Sequence, residues 1–282
     1  MPAIIATLAT NHALHDLRVF LKTLMLWNST PPTIYMLVDT AIDSALSDIK
    51  YKGHIKTMNV LDRYTNKTRQ EMEKQSLWHE FMCEKLRVLD WAFTEEGGSS
   101  SGVFFFDADI CFLGPLPTIP AGTEVMLSQH MIRAGDEAKF GKYNAGYVWM
   151  LNKNAVDVWR QACPNSRYYE QAALECFDAE EWKGRVGHFG QQHNYGWWRL
   201  LQGVTDTETL QKQWSIFRGA DHSGIVVNSV PLASVHTHWY EKKDFTIIYF
   251  NNLVKSMLNR ITKSQPKTYK LMAIINAAYS SS

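Results

Sequence analysis

The sequence has no strong charge bias. Its 282 residues include 29 Lys and Arg and 28 Asp and Glu, which gives a net charge of +1. Nucleic-acid-binding proteins usually carry a basic excess that neutralises phosphates, and disordered chains usually combine a biased charge with few apolar residues. We therefore expect a folded protein with no nucleic-acid partner. Because 45% of the residues are hydrophobic, the chain can bury a full-sized core.

Cysteine, long apolar runs and a charged leader are also lacking. The four cysteines form no CxxC pair, which argues against a disulfide framework and a zinc site. No apolar run approaches the roughly 18 residues of a membrane helix, and the opening MPAIIATLAT has no basic region typical of a signal peptide. We expect a soluble, cytoplasmic protein without a transmembrane segment. A catalytic domain excised from a longer secretory-pathway protein would look similar and would lie in the lumen.

Strand-like and helix-like patterns alternate through the first sixty residues. Residues 3–9 form an apolar run with several β-branched side chains, and leucines at helical spacing follow from Leu14 to Leu24. The run TIYMLVD, a helical stretch at 43–49 and an apolar stretch at 55–60 continue the alternation. This order predicts an α/β fold in which helices flank a mostly parallel sheet.

The middle of the chain adds a loop, a long helix and further strands. The polar segment 65–75 is interpreted as a loop over the sheet edge. Ser76 is expected to cap a helix whose apolar face includes Leu86 and Phe93, and the Gly/Ser-rich segment 95–102 is expected to be a turn. Further strands are predicted at 103–106, 124–128 and 146–151, with a helix at 154–162.

Two carboxylates directly follow the apolar strand VFFF. Asp107 and Asp109 would lie at the carboxyl end of that strand, where open α/β sheets bind ligands. Side chains two residues apart in an extended chain point the same way, so both carboxylates can face one site while Ala108 stays clear. Converging carboxylates repel each other unless a cation compensates, and oxygen ligands favour Mg²⁺ or Mn²⁺. The pattern therefore predicts a divalent-metal site.

This arrangement resembles the DxD-containing glycosyltransferases of the GT-A fold, which use nucleotide-diphospho-sugars. Their signature of a hydrophobic strand, DxD, apolar residues and proline is matched by GVFFFDADICFLGPLP. The resemblance covers the chain to about residue 245. It implies a Rossmann-like sheet, a Mn²⁺ or Mg²⁺ cofactor and a sugar-nucleotide donor, with UDP the commonest nucleotide in the family. It also implies one domain, divided into a nucleotide-sugar-binding half, an acceptor- and metal-completing half and a C-terminal helical extension: 1–117, 118–250 and 251–282.

The segment KYNAGYVW is similar to the Asn-Ala-Gly segment that borders the donor sugar in these enzymes. Asn144 would offer a donor and an acceptor at a turn, and Gly146 would let the backbone approach a ligand closely. The resemblance implies that Asn144 helps to orient the donor sugar.

Two segments compete for the Asp-Gln motif of retaining members. FGQQHNYGWW has the glutamines and the later Asn, which implies catalytic roles for Gln191 and Gln192, but it lacks the usual Asp. Glu170 and Gln171 keep the acid and the glutamine but lack the later Asn. The sequence leaves both assignments open.

The late segment SVHTHWYEKKD resembles the family's histidine segment. The resemblance implies that His236 completes the metal shell beside Asp107 and Asp109. His238 lies on the same side of an extended chain, and Lys242 offers a positive charge for the diphosphate.

The remaining donor-binding residues are implied by their position alone. Under the resemblance, Lys85 or Arg87, on the helix before the DxD strand, reaches the phosphates. Ala108, between the two ligands, also belongs to the donor site. The ends of the first two strands would touch the base or ribose through Thr7, Ala9, Thr10, Asn11 and Asp39.

The function implied is transfer of a sugar from a nucleotide-diphosphate donor to a hydroxyl of a carbohydrate acceptor, with a preference for the retaining outcome. Glu170, Asp178 and Asp221 keep an inverting mechanism open, because inversion needs a carboxylate base. A non-catalytic sugar-nucleotide-binding domain is an alternative. A DxD phosphohydrolase is disfavoured because its motif normally continues with Thr or Val, whereas Ile110 and Cys111 follow here. The tryptophan-rich second half is compatible with an acceptor site or with core packing.

Overall fold

A mostly parallel sheet of seven strands forms the centre of the structure, a computed structural model that describes residues 2–97, 101–203, 205–218, 223–262 and 266–277. Within these ranges the strands are β1 (Ile4–Ala9), β2 (Thr33–Val38), β3 (Ile55–Asn59), β4 (Val103–Phe106), β5 (Ile110–Phe112), β6 (Val125–Gln129), β7 (Tyr143–Met150), β8 (Val186–His188), β9 (Tyr195–Gly196), β10 (Trp214–Arg218), β11 (Ser223–Val227), β12 (Val230–Pro231) and β13 (Ser234–His236). The helices are α1 (Leu14–Trp27), α2 (Thr40–Leu46), α3 (Arg69–Lys74), α4 (Trp78–Glu95), α5 (Ala134–Phe140), α6 (Lys153–Ala162), α7 (Tyr169–Ala173), α8 (Trp198–Leu201), α9 (Thr207–Lys212), α10 (Phe245–Thr262) and α11 (Pro266–Ala277).

The strand order of the central sheet is β3-β2-β1-β4-β7-β6-β8. Strands β3, β2, β1 and β4 run parallel, β7 is antiparallel to both of its neighbours, and β8 is parallel to β6. The predicted α/β class with a mostly parallel, helix-flanked sheet is confirmed. The carboxyl ends of β1, β2 and β4 therefore meet at one edge of the sheet.

Both faces of this sheet are covered, which explains why β1, β4 and β7 are buried at every position and mostly apolar. Ile4 and Ala6 of β1 pack in the core cluster that contains α4 and α6, whereas Ile5 packs in the cluster that contains α1. The strand VFFF divides in the same way, with Phe105 on the α4 side and Phe106 on the α1 side. Full burial of such a side chain contributes about 1.5–3 kcal/mol.

Two smaller sheets are built from strands of the second half of the chain together with β5 of the first half. Strand β13 pairs antiparallel with β5 and parallel with β9, and β10, β11 and β12 form a third sheet. Helices α10 and α11 pack on these strands in a separate apolar cluster. No helix among the described residues is long and apolar enough to cross a bilayer.

Several predicted boundaries were wrong. Segment 65–75 is not a loop throughout, because Thr68 and Glu71 form a capping box that starts α3. Ser76 does not cap the long helix: its φ is +58°, and α4 begins at Trp78 without a side-chain cap. Of the predicted turn at 95–102, residues 98–100 lie outside the described residues.

Candidate functional site

The acidic turn, residues 107–109, joins β4 to β5 at the carboxyl edge of the sheet. The Asp107 N–H donates to the Gly146 carbonyl at 2.9 Å, and the Ile110 N–H donates to the Asp107 carbonyl at 3.2 Å. These backbone bonds fix the turn against β7. The side chains of Asp107 and Asp109 are 26% and 13% exposed, so both carboxylates are largely removed from bulk water while still reachable.

His236 reaches the acidic turn because β13 pairs with β5. In that register His236 lies opposite Ile110, and the Thr237 N–H donates to the Asp109 carbonyl at 3.2 Å. His236 Nε2 lies 3.0 Å from Asp109 Oδ1 and 3.9 Å from Asp107 Oδ2. One ligand atom from each of the three side chains lies within 4.8 Å of the others, so they can share one ion.

Gly146 is required by the tight packing around these three residues. A Cβ at this position would lie 2.2 Å from Asp107 Oδ2 and 2.7 Å from His236 Cε1. The sequence predicts that Gly146 lets the backbone approach a ligand closely. In the structure Gly146 lets the backbone approach the Asp107 carboxylate and the His236 imidazole. Asn144 lies inside β7, next to the register shift at Ser128 of β6, and not at a turn as predicted.

The charges around Asp109 favour its ionised form. Burial opposes ionisation, but His236 and His238 outweigh it by charge and hydrogen bonding, so the pKa of Asp109 lies below its usual range. A carboxylate that stays charged when buried is a suitable ligand for a divalent cation.

Lys85 of α4 links the acidic turn to a second buried carboxylate. Its Nζ lies 3.2 Å from Asp107 Oδ1 and 2.9 Å from Glu170 Oε1, and the Lys85 and Glu170 side chains are at most 5% exposed. Burial lowers the pKa of Lys85, but the two carboxylates outweigh it and raise the pKa above its usual range. The Lys85 ammonium group therefore forms ion pairs with both Asp107 and Glu170. Arg87 is exposed and lies 3.4 Å from Glu84.

Of the two competing Gln segments, Glu170-Gln171 lies against the acidic turn. Burial raises the pKa of Glu170, Lys85 offsets part of that rise, and Glu170 Oε2 has no hydrogen-bond partner among the described residues. The preceding Tyr169 has a φ of +46°, a strained conformation for an aromatic residue. Gln171 Nε2 donates to the Phe140 carbonyl at 2.8 Å.

The Gln191 and Gln192 side chains are oriented differently. Asn228 Nδ2 donates to Gln191 Oε1 at 2.9 Å, and the Gln192 backbone carbonyl accepts from Ala233 N at 2.9 Å. No described hydrogen bond joins either glutamine side chain to the acidic turn. From this segment Asn194 does reach a ligand, since its Oδ1 lies 2.8 Å from His236 Nδ1.

The residues at the ends of the first two strands are mostly buried. Thr7 and Ala9 lie inside β1 and are at most 1% exposed, and Thr10 is 8% exposed. Asp39 is fully buried: its carboxylate accepts from the Ile42 N–H, the Asn11 N–H and the Thr65 hydroxyl at 2.8–2.9 Å. Asp39 therefore fixes the loop that contains Asn11, which is itself partly exposed.

His238 is exposed and lies beside Asp109, whereas no described contact joins Lys242 to the acidic turn. His238 Nδ1 is 3.3 Å from both Asp109 Oδ2 and Asp16 Oδ2. Although burial acts to lower it, the pKa of His238 is raised by the carboxylates of Asp109 and Asp16. Lys242 is exposed in the loop before α10. Asp16, which the sequence reasoning missed, is a buried acid on the otherwise apolar face of α1.

Trp198 supports His236 from the side. Its ring lies edge-on, 5.0 Å from the imidazole, and its Nε1 donates to the His130 carbonyl at 3.3 Å. At 9% exposure Trp198 is core, as are most tryptophans of the second half.

Neither a family model nor a curated protein sequence matches the chain. Solved structures do. The galactosyltransferase LgtC, determined with donor and acceptor sugar analogues, has a TM-score of 0.56 at 15% identity over 90% of this chain and 95% of its own. The glycosyltransferase GlyE of Streptococcus pneumoniae has a TM-score of 0.52 at 13% identity, over 99% of this chain and 64% of its own. Mouse xyloside xylosyltransferase 1 has a TM-score of 0.50 at 12% identity, over 84% of this chain and 98% of its own.

These similarities establish the fold. The chain has the GT-A architecture of glycosyltransferases, as the sequence resemblance implied, and its Asp107-Ala108-Asp109 turn occupies the carboxyl edge of that sheet.

Proposed function

We propose that this protein is a metal-dependent glycosyltransferase that moves a sugar from a nucleotide-diphosphate donor, with UDP as the nucleotide, to a hydroxyl of a carbohydrate acceptor. The observation that carries the proposal is the convergence of Asp107, Asp109 and His236 in a GT-A fold. Two carboxylate groups and an imidazole are donors that suit Mn²⁺ or Mg²⁺.

The three converging side chains fit such an ion. When bound, the ion acts as a Lewis acid and stabilises negative charge on a diphosphate leaving group. Asp107, Asp109 and His236 would hold it. Lys85 keeps Asp107 in position through the buried ion pair.

The rest of the donor is assigned to the neighbouring loops. Lys242 is exposed in the loop that follows His238, and we assign it to the diphosphate as a positive charge. The loop of Asn11, fixed by Asp39, is assigned to the nucleotide.

The division of the chain at residues 117 and 250 stays a prediction.

We favour a retaining outcome because the two described acids that could serve as a base, Glu170 and Asp178, are each paired with a lysine. An inverting enzyme needs a carboxylate base aimed at the acceptor hydroxyl. Glu170 is buried against Lys85, and Asp178 pairs with Lys142 at 3.1 Å. Asp221 lies outside the described residues.

We therefore assign the face of the donor sugar to two amides, Gln171 and Asn144. Asn144 Nδ2 lies 3.5 Å from Gln171 Oε1, which places the two amides side by side. Glu170, held by Lys85, positions Gln171 at the start of α7. Gln191 and Gln192 stay the alternative assignment.

A panel of sugar nucleotides with manganese or with EDTA tests the proposal. A ligand that binds only the folded state raises its stability, by about 2.7 kcal/mol at a hundred times its dissociation constant. We expect a rise in melting temperature with UDP-sugars in manganese and none in EDTA. Release of UDP would then be measured with the donor that gives the largest shift.

Asp157→Asn is the matched control for Asp109→Asn, the variant that removes a proposed metal ligand. Asp157 is an exposed acid paired with Arg160 on α6, away from the acidic turn. It should behave as wild type. A donor shift that is equal with and without metal would contradict the metal role. Cleavage of phosphomonoesters without use of sugar nucleotides would favour the phosphohydrolase, and binding without UDP release would favour the non-catalytic domain.

A further inference from the structure

We infer that a buried series of hydrogen bonds through His130, Asn144 and Asn194 fixes the tautomer of His236, so that His130 and Asn194 are positioning residues for the metal site. The inference rests on the proposed function, because it assumes that His236 is a metal ligand. It concerns residues that do not touch the ion themselves.

The direction of the series is set by two backbone groups, which cannot reverse their roles. The Gly141 carbonyl can only accept, so His130 Nδ1, at 2.8 Å, must carry the proton. The Gly146 N–H can only donate, so Asn144 presents its Oδ1 to Gly146 at 3.0 Å. Asn144 Nδ2 therefore faces His130 Nε2, at 3.2 Å, and donates to it.

Asn194 connects Asn144 to the imidazole of His236 and thereby fixes which His236 nitrogen donates. Its Nδ2 donates to Asn144 Oδ1 at 3.0 Å and to the Ser128 hydroxyl oxygen at 2.9 Å. Its Oδ1 is thus turned toward His236 Nδ1, at 2.8 Å, which must donate. In neutral His236 the proton then lies on Nδ1, and the Nε2 lone pair faces the carboxylates of the acidic turn.

The surroundings keep this order in place. His130, Asn144, Asn194 and His236 are at most 7% exposed, so water does not compete for their hydrogen bonds. Burial lowers the pKa of His130 to about 4, which keeps it neutral and able to accept at Nε2. Asn194 has a φ of +53°, a left-handed conformation that asparagine tolerates and most residues do not.

The tautomer of His236 matters because its Nε2 faces the carboxylates of Asp107 and Asp109. In neutral His236, the Nε2 lone pair and the two carboxylates would form a set of three acceptors that a divalent cation can bind, whereas in the ion-free protein a proton on Nε2 can take that place. The opposite tautomer would put a proton where the ion binds. Hydrogen-bond partners behind metal ligands typically change metal affinity by about 10- to 100-fold when they are removed.

The test measures Mn²⁺ binding to the purified protein, from the electron paramagnetic resonance signal of free Mn²⁺. Asn194→Leu removes the acceptor for His236 Nδ1, and we expect about 10-fold or more weaker binding. His130→Phe keeps the ring volume and removes both ring nitrogens, and we expect a smaller loss because Asn144 still contacts Asn194. His130→Gln retains a donor and an acceptor and should recover most of the affinity.

Tyr51→Phe is the matched control. It deletes the hydrogen bond from the Tyr51 hydroxyl to the Pro32 carbonyl, far from the acidic turn, and should leave Mn²⁺ affinity unchanged. Nitrogen-15 NMR of labelled histidine adds a measurement of the tautomer, which a loss of folding stability alone would not change. His236, identified by its loss in His236→Gln, should be protonated at Nδ1 in the wild type and mixed in Asn194→Leu.

The outcomes separate this inference from the proposed function. If the wild type does not bind Mn²⁺ through Asp109 and His236, the proposed function fails. If it does bind, but folded Asn194→Leu matches the wild type in affinity and tautomer, the positioning role is overturned. A loss with His130→Phe that His130→Gln does not recover would restrict the role to Asn194.

Discussion

Asp39 and Asp109 both follow strands of the same sheet, and both are removed from water, yet they do different work. The carboxylate of Asp39 accepts three hydrogen bonds from the chain around it, which use most of its acceptor capacity. The carboxylate of Asp109 faces a second acid and two imidazoles. A position at the carboxyl edge therefore does not identify a ligand site. What distinguishes Asp109 from Asp39 is its convergence with a second acid and the imidazole of His236.

The strongest test of this contrast is Asp109→Asn. We expect it to abolish Mn²⁺-dependent donor binding and sugar transfer, because an amide is a much weaker ligand than a carboxylate, while the melting temperature without metal changes little. Isothermal calorimetry with manganese and a UDP release assay measure both effects. Turnover close to wild type would reject the metal role of Asp109.

The second test compares the two histidines of the late segment. His236→Ala should weaken Mn²⁺ binding by more than 10-fold, because Nε2 faces both carboxylates. His238→Ala should have a smaller effect, since its Nδ1 lies between Asp109 and Asp16. Manganese titration of each variant decides this, and equal, negligible effects would remove the segment from the site.

The third test is Asp39→Asn, which leaves the shape of the side chain intact. An amide keeps only one acceptor oxygen and so cannot accept from all three donors, which are divided between Oδ1 and Oδ2, and we expect a loss of about 1–3 kcal/mol in the free energy of unfolding. Mn²⁺ affinity should not change. Urea denaturation and a manganese titration measure the two quantities, and a loss of metal binding without a loss of stability would reverse the contrast.

The smallest expected effect is on acid stability. His130 has a pKa of about 4 when folded and an ordinary value near 6.5 when unfolded, so the unfolded chain binds more protons between these values. Stability should therefore fall as the pH drops from about 6.5 to 4. His130→Phe should flatten this fall, by on the order of 1–3 kcal/mol across the window. Urea unfolding at several pH values measures it, and an unchanged slope would contradict the assigned burial.

The parts of the site that the sequence predicted are those with a local pattern. The acidic turn follows an apolar strand that ends abruptly, and His236 belongs to a short histidine segment. Asn144 was wrongly expected at a turn because the register shift of β6 is set by strand pairing. The polar composition of 65–75 predicts a loop, whereas α3 forms there because Thr68 and Glu71 make a capping box that satisfies its first N–H groups.

Other parts depend on distant contacts that no single segment shows. The choice between Glu170-Gln171 and Gln191-Gln192 depends on which of them Lys85 reaches across the fold. His130 and Asp16 belong to no local motif, and their partners come from segments far away in the sequence.

The pairing of β13 with β5 has a consequence for biosynthesis. The acidic turn leaves the ribosome early, but His236, which would complete the shell of the proposed ion, is made much later, and the two meet only once β13 pairs with β5. A growing chain would therefore hold the ion weakly until that half is in place. Tight uptake of the ion would then report that synthesis and folding are complete, and truncated chains would be metal-poor and inactive.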